Sequence, residues 1–169
     1  MSTAGCTRRV PNRLILMRHA KSDYPVGVAD HDRPLNARGR RDADAAAAWL
    51  LAHRDAIVSG ELSVLVSSAV RAQQTWERAG KGLEGEVTVR TEPRIYEASV
   101  GTLLELAADT RAGSVLLLGH NPGLESALGH LLDAPHTMKT SAIAALALDP
   151  ADPMAPGSAR CLKVGLPRG

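Results

Sequence analysis

Residues 114–120 read SVLLLGH. An almost unbroken apolar run of this length suits a strand buried on both faces, as in the middle of a parallel sheet. Helical patterns flank it. Before it, SVGTLLELAADTRAG (99–113) has Ser99 as candidate N-cap and Gly113 past its end. After it, NPGLESALGHLLD (121–133) opens with Asn121 as candidate cap and Pro122 in the first turn, where a missing N–H costs nothing.

The same alternation extends upstream. RLILM (13–17) and LSVLVSS (62–68) read as strands, and EVTVRTEPRIYEAS (86–99) begins as a third. RRDADAAAAWLLAHRDAI (40–57) reads as a helix with Ala43, Ala46, Ala47, Leu50 and Leu51 on one face. AVRAQQTWERAGKGL (69–83) reads as another, ending near Gly80 or Gly82. Downstream, SAIAALALD (141–149) and ARCLKVGL (159–166) are strands joined by the Pro/Gly-rich PADPMAPGS. Alternating strands and helices predict an α/β domain: three layers, a mostly parallel six-stranded sheet, helices on both faces. The last two strands have no helix between them, which predicts one antiparallel member. Residues 1–12 read as a flexible leader, and 13–169 as a single domain.

Composition narrows the function. The chain has 169 residues, enough for one well-filled core, and a net charge of +2, which demands no polyanionic partner. The basic run RGRR (38–41) reads as a solvated helix start. Two Trp, two Tyr and no Phe leave no stacking platform for single-stranded nucleic acid. Cys6 and Cys161 fit neither a disulfide framework nor a zinc ribbon, so a reducing cytoplasm is the expected compartment. The first 13 residues carry no apolar signal core, and no run is long enough to span a membrane.

The polar residues fall at strand ends. Arg18 and His19 follow the first strand, in LILMRHAKS (14–22). Ser67, Ser68 and Arg71 follow the second, Tyr96 and Glu97 the third, and Gly119, His120 and Asn121 the fourth. Ligands bind beyond the carboxyl ends of parallel strands, so these loops are expected to share one crevice. Taken singly, each residue has an ordinary explanation; together, two arginines and two histidines suit phosphate. An arginine fork meets phosphate oxygens with paired, charge-assisted hydrogen bonds. The helix start at Asn121 offers further N–H donors, and a histidine can act as nucleophile toward phosphorus.

LMRHAKS, SSAVRAQQTW, IYEAS and LLLGHNPG together resemble the histidine phosphatase superfamily, a phosphoglycerate mutase-like fold, and more narrowly the SixA-type phosphohistidine phosphatases. DHDRPLNARGRRDA (30–43) resembles the SixA-like group's segment after the first motif. The resemblance implies that His19 is the phosphorylated nucleophile and that Arg18, Arg71 and a protonated His120 bind the phosphoryl oxygens. Glu97 is the candidate proton donor, with Asp32 and Glu92 as competitors. No metal or other cofactor is implied. Ala20 stands where most of the superfamily has glycine, and Ala69-Val70 where proline is frequent.

The gaps between motifs are short, so an open pocket is expected, one that admits a side chain projecting from a protein. The expected partner is a phosphorylated protein carrying phosphohistidine, or else a small phosphorylated substrate; a monomer is expected, with neither nucleic acid nor membrane as partner. Two other readings remain. His31-Asp32 resembles a metal-binding pair, although His53, His130 and His136 lack ligand spacing. A catalytically silent phosphate-binding module would keep the same residues.

Overall fold

The computed structural model describes residues 10–83, 85 and 87–169. Six strands form one sheet: β1 (Arg13–Arg18), β2 (Leu62–Val66), β3 (Val87–Thr91), β4 (Ser114–Gly119), β5 (Ile143–Leu148) and β6 (Ala159–Gly165), in the order β3-β2-β4-β1-β5-β6. β1, β2, β3 and β4 pair in parallel, and β5 is the antiparallel member between β1 and β6. Every residue of β4 is buried, as its apolar run requires. Four helices cover the sheet: α1 (Ala37–Ile57), α2 (Val70–Ala79), α3 (Val100–Ala108) and α4 (Gly123–Leu132).

Strand alternation sorts the core into two layers. Leu14, Leu16, Leu65, Val115 and Leu117 pack with Leu103, Leu106, Leu124 and Leu131 of α3 and α4. Ile15, Met17, Val64, Leu116 and Leu118 pack with Ala46, Leu50, Ile57 and Ala72 of α1 and α2. The fold is therefore α/β with helices on both faces. Among the described residues, no helix is long and apolar enough to cross a membrane.

Several boundaries differ from the sequence reading. α1 begins at Ala37 rather than 40, because Asn36 caps it by accepting from Gly39 N–H at 2.8 Å. Its buried stripe is Ala43, Ala46, Leu50 and Ile57, whereas Leu51 is 66% exposed. One residue beyond Leu50 turns by about 100° off the stripe. α2 stops at Ala79, and a 3-10 turn takes the chain on to Leu83. The expected leader falls mostly on residues 1–9, which lie outside the described residues. Asn12 is already tied to the sheet, through Gly113 O at 2.9 Å and Leu148 N–H at 3.0 Å.

One glycine fixes how the segment after β1 travels. Lys21 O accepts from Asn36 N–H at 3.0 Å. A Cβ on Gly39 would lie 1.9 Å from that same oxygen. The backbone after His19 thus rests directly on the first turn of α1, and no side chain fits between them.

Candidate active site

The parallel strands all point their carboxyl ends the same way, and β1 and β4 end side by side, Arg18 opposite Gly119. The loops that follow enclose a cavity of about 470 Å³. Arg18, His19, Arg71, Glu97, His120 and Asn121, all anticipated from the sequence, line it.

His19 is 7% exposed. Its backbone continues β1, with N–H donating to Gly119 O at 3.1 Å and C=O accepting from Ser141 N–H at 3.0 Å. Its Nδ1 lies 2.7 Å from Ala20 O. A carbonyl can only accept, so Nδ1 carries the proton and Nε2 keeps its lone pair. Arg71 Nε–H donates to that Nε2 at 3.3 Å. Burial, reinforced by the charges of Arg71 and Arg18, pushes the His19 pKa down to about 3.

His120 is the second half of the pair, its ring centroid 5.0 Å from that of His19 and tilted by 53°. Arg71 Nη2 donates to its Nδ1 at 3.3 Å, so its Nε2–H donates to Ser67 Oγ at 2.7 Å. Burial, then the nearby Arg71 charge, lowers its pKa to about 4. A buried imidazole facing a guanidinium favours its neutral form, and the expected protonation of His120 belongs to the phosphate-bound site.

Arg18 closes β1 and donates from Nη1 to Met138 O at 2.7 Å. Its Nε–H is buried with no partner among the described residues. An orphaned charged donor of this kind fits an oxyanion. Asn121 departs from its expected role as cap. Pro122 holds the N-cap position of α4 without a side-chain cap. The Asn121 amide instead donates to Met138 O at 2.9 Å, drawn across the cavity wall by the carbonyl that also holds Arg18.

The three carboxylates proposed as proton donors separate clearly. Glu97 is exposed at the cavity and has φ of 55°. An L-residue in that left-handed region costs about 1 kcal/mol or more, a strain that tends to collect at functional positions. Glu92 is buried, caps the Pro93–Ile95 turn and is held by Arg94 and Arg90. Asp32 is exposed and pairs with His31 Nδ1 at 3.1 Å. Neither Glu92 nor Asp32 lines the cavity. His31 is engaged again at Nε2, by Ser68 Oγ at 2.9 Å.

Three contributors escaped the sequence reading: the Ala20 carbonyl, the Ser67 hydroxyl as partner of His120, and Asp30, which touches Arg71. For Asp30 a signal existed. Asp30 and Arg33 are spaced i, i+3 and form an ion pair at 2.6 Å.

This arrangement can hold a tetrahedral oxyanion against two guanidinium groups, beside an imidazole Nε2 that keeps its lone pair and shares it with Arg71 Nε–H. The chain belongs to the histidine phosphatase superfamily (branch 1), whose family model matches residues 14–114. Among individual proteins, it is 43% identical over 110 residues to the uncharacterized protein Rv1276c of Mycobacterium tuberculosis, a match covering 63% of each chain. The chain thus spans less than two thirds of that relative's length. Among solved structures, SixA from Agrobacterium tumefaciens is 29% identical with a TM-score of 0.77, covering 93% of this chain and 99% of its own. The protein histidine phosphatase SixA complexed with tungstate is 27% identical with a TM-score of 0.75, covering 92% of this chain and 97% of its own.

Proposed function

We propose that this chain is a metal-independent phosphatase that works through a phosphohistidine on His19 and takes its phosphoryl group from a protein, phosphohistidine above all. The observation that carries this reading is the His19 tautomer. The Ala20 carbonyl holds the proton on Nδ1, and burial keeps the ring neutral, so Nε2 presents a lone pair at neutral pH beside two arginines.

In the first step the Nε2 lone pair forms a bond to phosphorus while the bond to the leaving oxygen or nitrogen breaks. Arg18 and Arg71 take up the charge spread over the equatorial oxygens. The phosphoryl dianion also raises the His120 pKa, since an anion favours the imidazolium. Glu97, at the cavity mouth, donates the proton that the leaving group needs. In the second step Glu97 accepts a proton from water as its oxygen attacks phosphorus, the P–Nε2 bond breaks, and inorganic phosphate leaves.

Support for a protein substrate comes from the walls. The cavity sits among the strand-end loops themselves, and its rim residues Tyr24 and Glu97 are exposed. A solved relative named a protein histidine phosphatase was captured with tungstate, a phosphate-like oxyanion.

The test is a parallel screen of phosphorylated proteins and phosphorylated metabolites with wild type and His19→Ala. Expected are turnover on histidine-phosphorylated protein, retained in chelator and blocked by vanadate, and an acid-labile, base-stable adduct absent from the variant. Preference for a small phosphate ester over every phosphoprotein moves the substrate assignment to metabolites. Turnover lost to chelator refutes metal independence, and binding without turnover refutes the enzyme.

A further inference from the structure

Asp30 opens the 3-10 turn Asp30–Asp32, in the excursion between β1 and α1. Its carboxylate gathers donors from three parts of the chain. Oδ1 accepts from Arg33 Nη1 at 2.6 Å. Oδ2 accepts from Arg71 Nη2 at 3.0 Å and from the Tyr96 hydroxyl at 2.9 Å. The backbone carbonyl of Asp30 accepts from Arg71 Nη1 at 2.5 Å.

Arg71 is therefore held from two sides. Asp30 takes Nη1 and Nη2. Nε and Nη2 face His19 and His120, each at 3.3 Å. The contacts to neutral imidazoles are long. Those to Asp30 are shorter, and one is a full ion pair, so Asp30 dictates the orientation. Asp30 is itself anchored. Arg33 reaches back to Ser22 Oγ at 2.6 Å and Asp23 O at 2.9 Å, and its guanidinium carbon lies 3.4 Å from the centre of the Tyr24 ring. Ser22 in turn bridges to Leu35, closing the base of the excursion.

We infer that Asp30 is the positioning residue for Arg71: it grips the guanidinium from outside and turns the Nε–Nη2 edge onto the phosphoryl position between the two histidines. This inference rests on the phosphatase reading of the site. Arginine's value to a transferring phosphoryl group lies in its planar fork, and a fork that swings freely keeps its charge but loses its paired geometry. Arg33, Tyr96 and Arg71 together hold the Asp30 carboxyl well below the usual carboxylate range. Asp30 thus stays an anion that holds, and proton donation falls to Glu97.

The experiment is a double-mutant cycle on para-nitrophenyl phosphate with Asp30→Asn, Arg71→Ala and the double variant. Asp30→Asn is expected to lower kcat/KM by about 10- to 100-fold at an unchanged melting temperature. In the Arg71→Ala background the same change is expected to cost less than about threefold, because the residue it acts through is gone. Losses that multiply, or wild-type turnover in Asp30→Asn, overturn the proposal. If Asp30→Asn melts early, Tyr96→Phe removes one donor to Asp30 and keeps the carboxylate. A smaller loss is then expected, again vanishing with Arg71→Ala, and a loss that persists there overturns the proposal. A second readout needs no turnover. The Arg71 Nε–H signal in a 1H–15N spectrum should exchange slowly with solvent in the wild type and quickly in Asp30→Asn, and equal exchange overturns the clamp. A wild type without turnover refutes the phosphatase reading, and the spectrum still judges the clamp.

Discussion

Replacing His19 with glutamine should make the fold more tolerant of acid. An unfolded chain protonates this imidazole near its ordinary pKa of 6.5, while the folded chain does so only near 3. Between those values the unfolded state binds more protons, so the native state loses stability as pH falls. At pH 7.5 the cost is negligible. At pH 5 the unfolded chain is almost fully protonated at this site and the folded chain almost wholly neutral, which amounts to about 2 kcal/mol. His19 is buried, so little of this is screened by solvent. His120, with its pKa near 4, adds a similar burden but is present in both proteins and cancels. The assay is urea unfolding of wild type and His19→Gln at pH 7.5, 6 and 5. With an m-value of about 2 kcal/mol/M, the wild-type midpoint should fall by about 1 M more than the variant's between the extremes. Parallel midpoints would refute the claim that His19 is held neutral by burial.

Three other substitutions test separate parts of the structure. Gly39→Ala puts a methyl group 1.9 Å from Lys21 O, so despite alanine's better helix propensity it should cost about 1–3 kcal/mol in thermal unfolding and lower turnover by displacing the segment after His19. Ser67→Ala leaves the buried His120 Nε2–H without its acceptor; a loss of about 1–2 kcal/mol and a kcat roughly tenfold lower are expected from calorimetry and steady-state kinetics. Asp42 is buried on α1 and holds Arg168 Nη1 at 2.9 Å and Gly169 N–H at 3.2 Å. Its partners Arg168 and Arg38 are partly or largely exposed and can return to water, so Asp42→Ala should cost about 1–2 kcal/mol rather than the 3–5 of a fully buried pair, with kcat unchanged.

The strands were legible because burial writes itself into consecutive letters, and VLLL in β4 admits few readings. The strand-end residues were legible by their joint chemistry: Arg18 and His19 at the end of β1, Arg71 in the first turn of α2 after β2, and His120 after β4 occupy positions that follow from parallel pairing. Glu97 was separable from Glu92 and Asp32 only in three dimensions, since all three are loop carboxylates. The Ala20 carbonyl belongs to the backbone, which every residue shares, so no letter marks its bond to His19. Asp30 reaches Arg71 only because the chain returns across the Ser22–Leu35 bridge and settles on Gly39, a path set by tertiary contacts. Asn121 has a good capping residue's letter, yet its amide is claimed by Met138 from a distant loop.

The parallel pairing of β1 to β4 gives the molecule a working end and a handling end. β5 runs from Ile143 beside Met17 to Ala147 beside Arg13, so its hairpin to β6 lies opposite the cavity. The α1–β2 connection lies there too, where Gly60 has open space around it and Ser59 meets Ser114 at the start of β4. A label, linker or surface tether placed within residues 150–158 would hold the protein by its back, leaving the mouth of the cavity unobstructed.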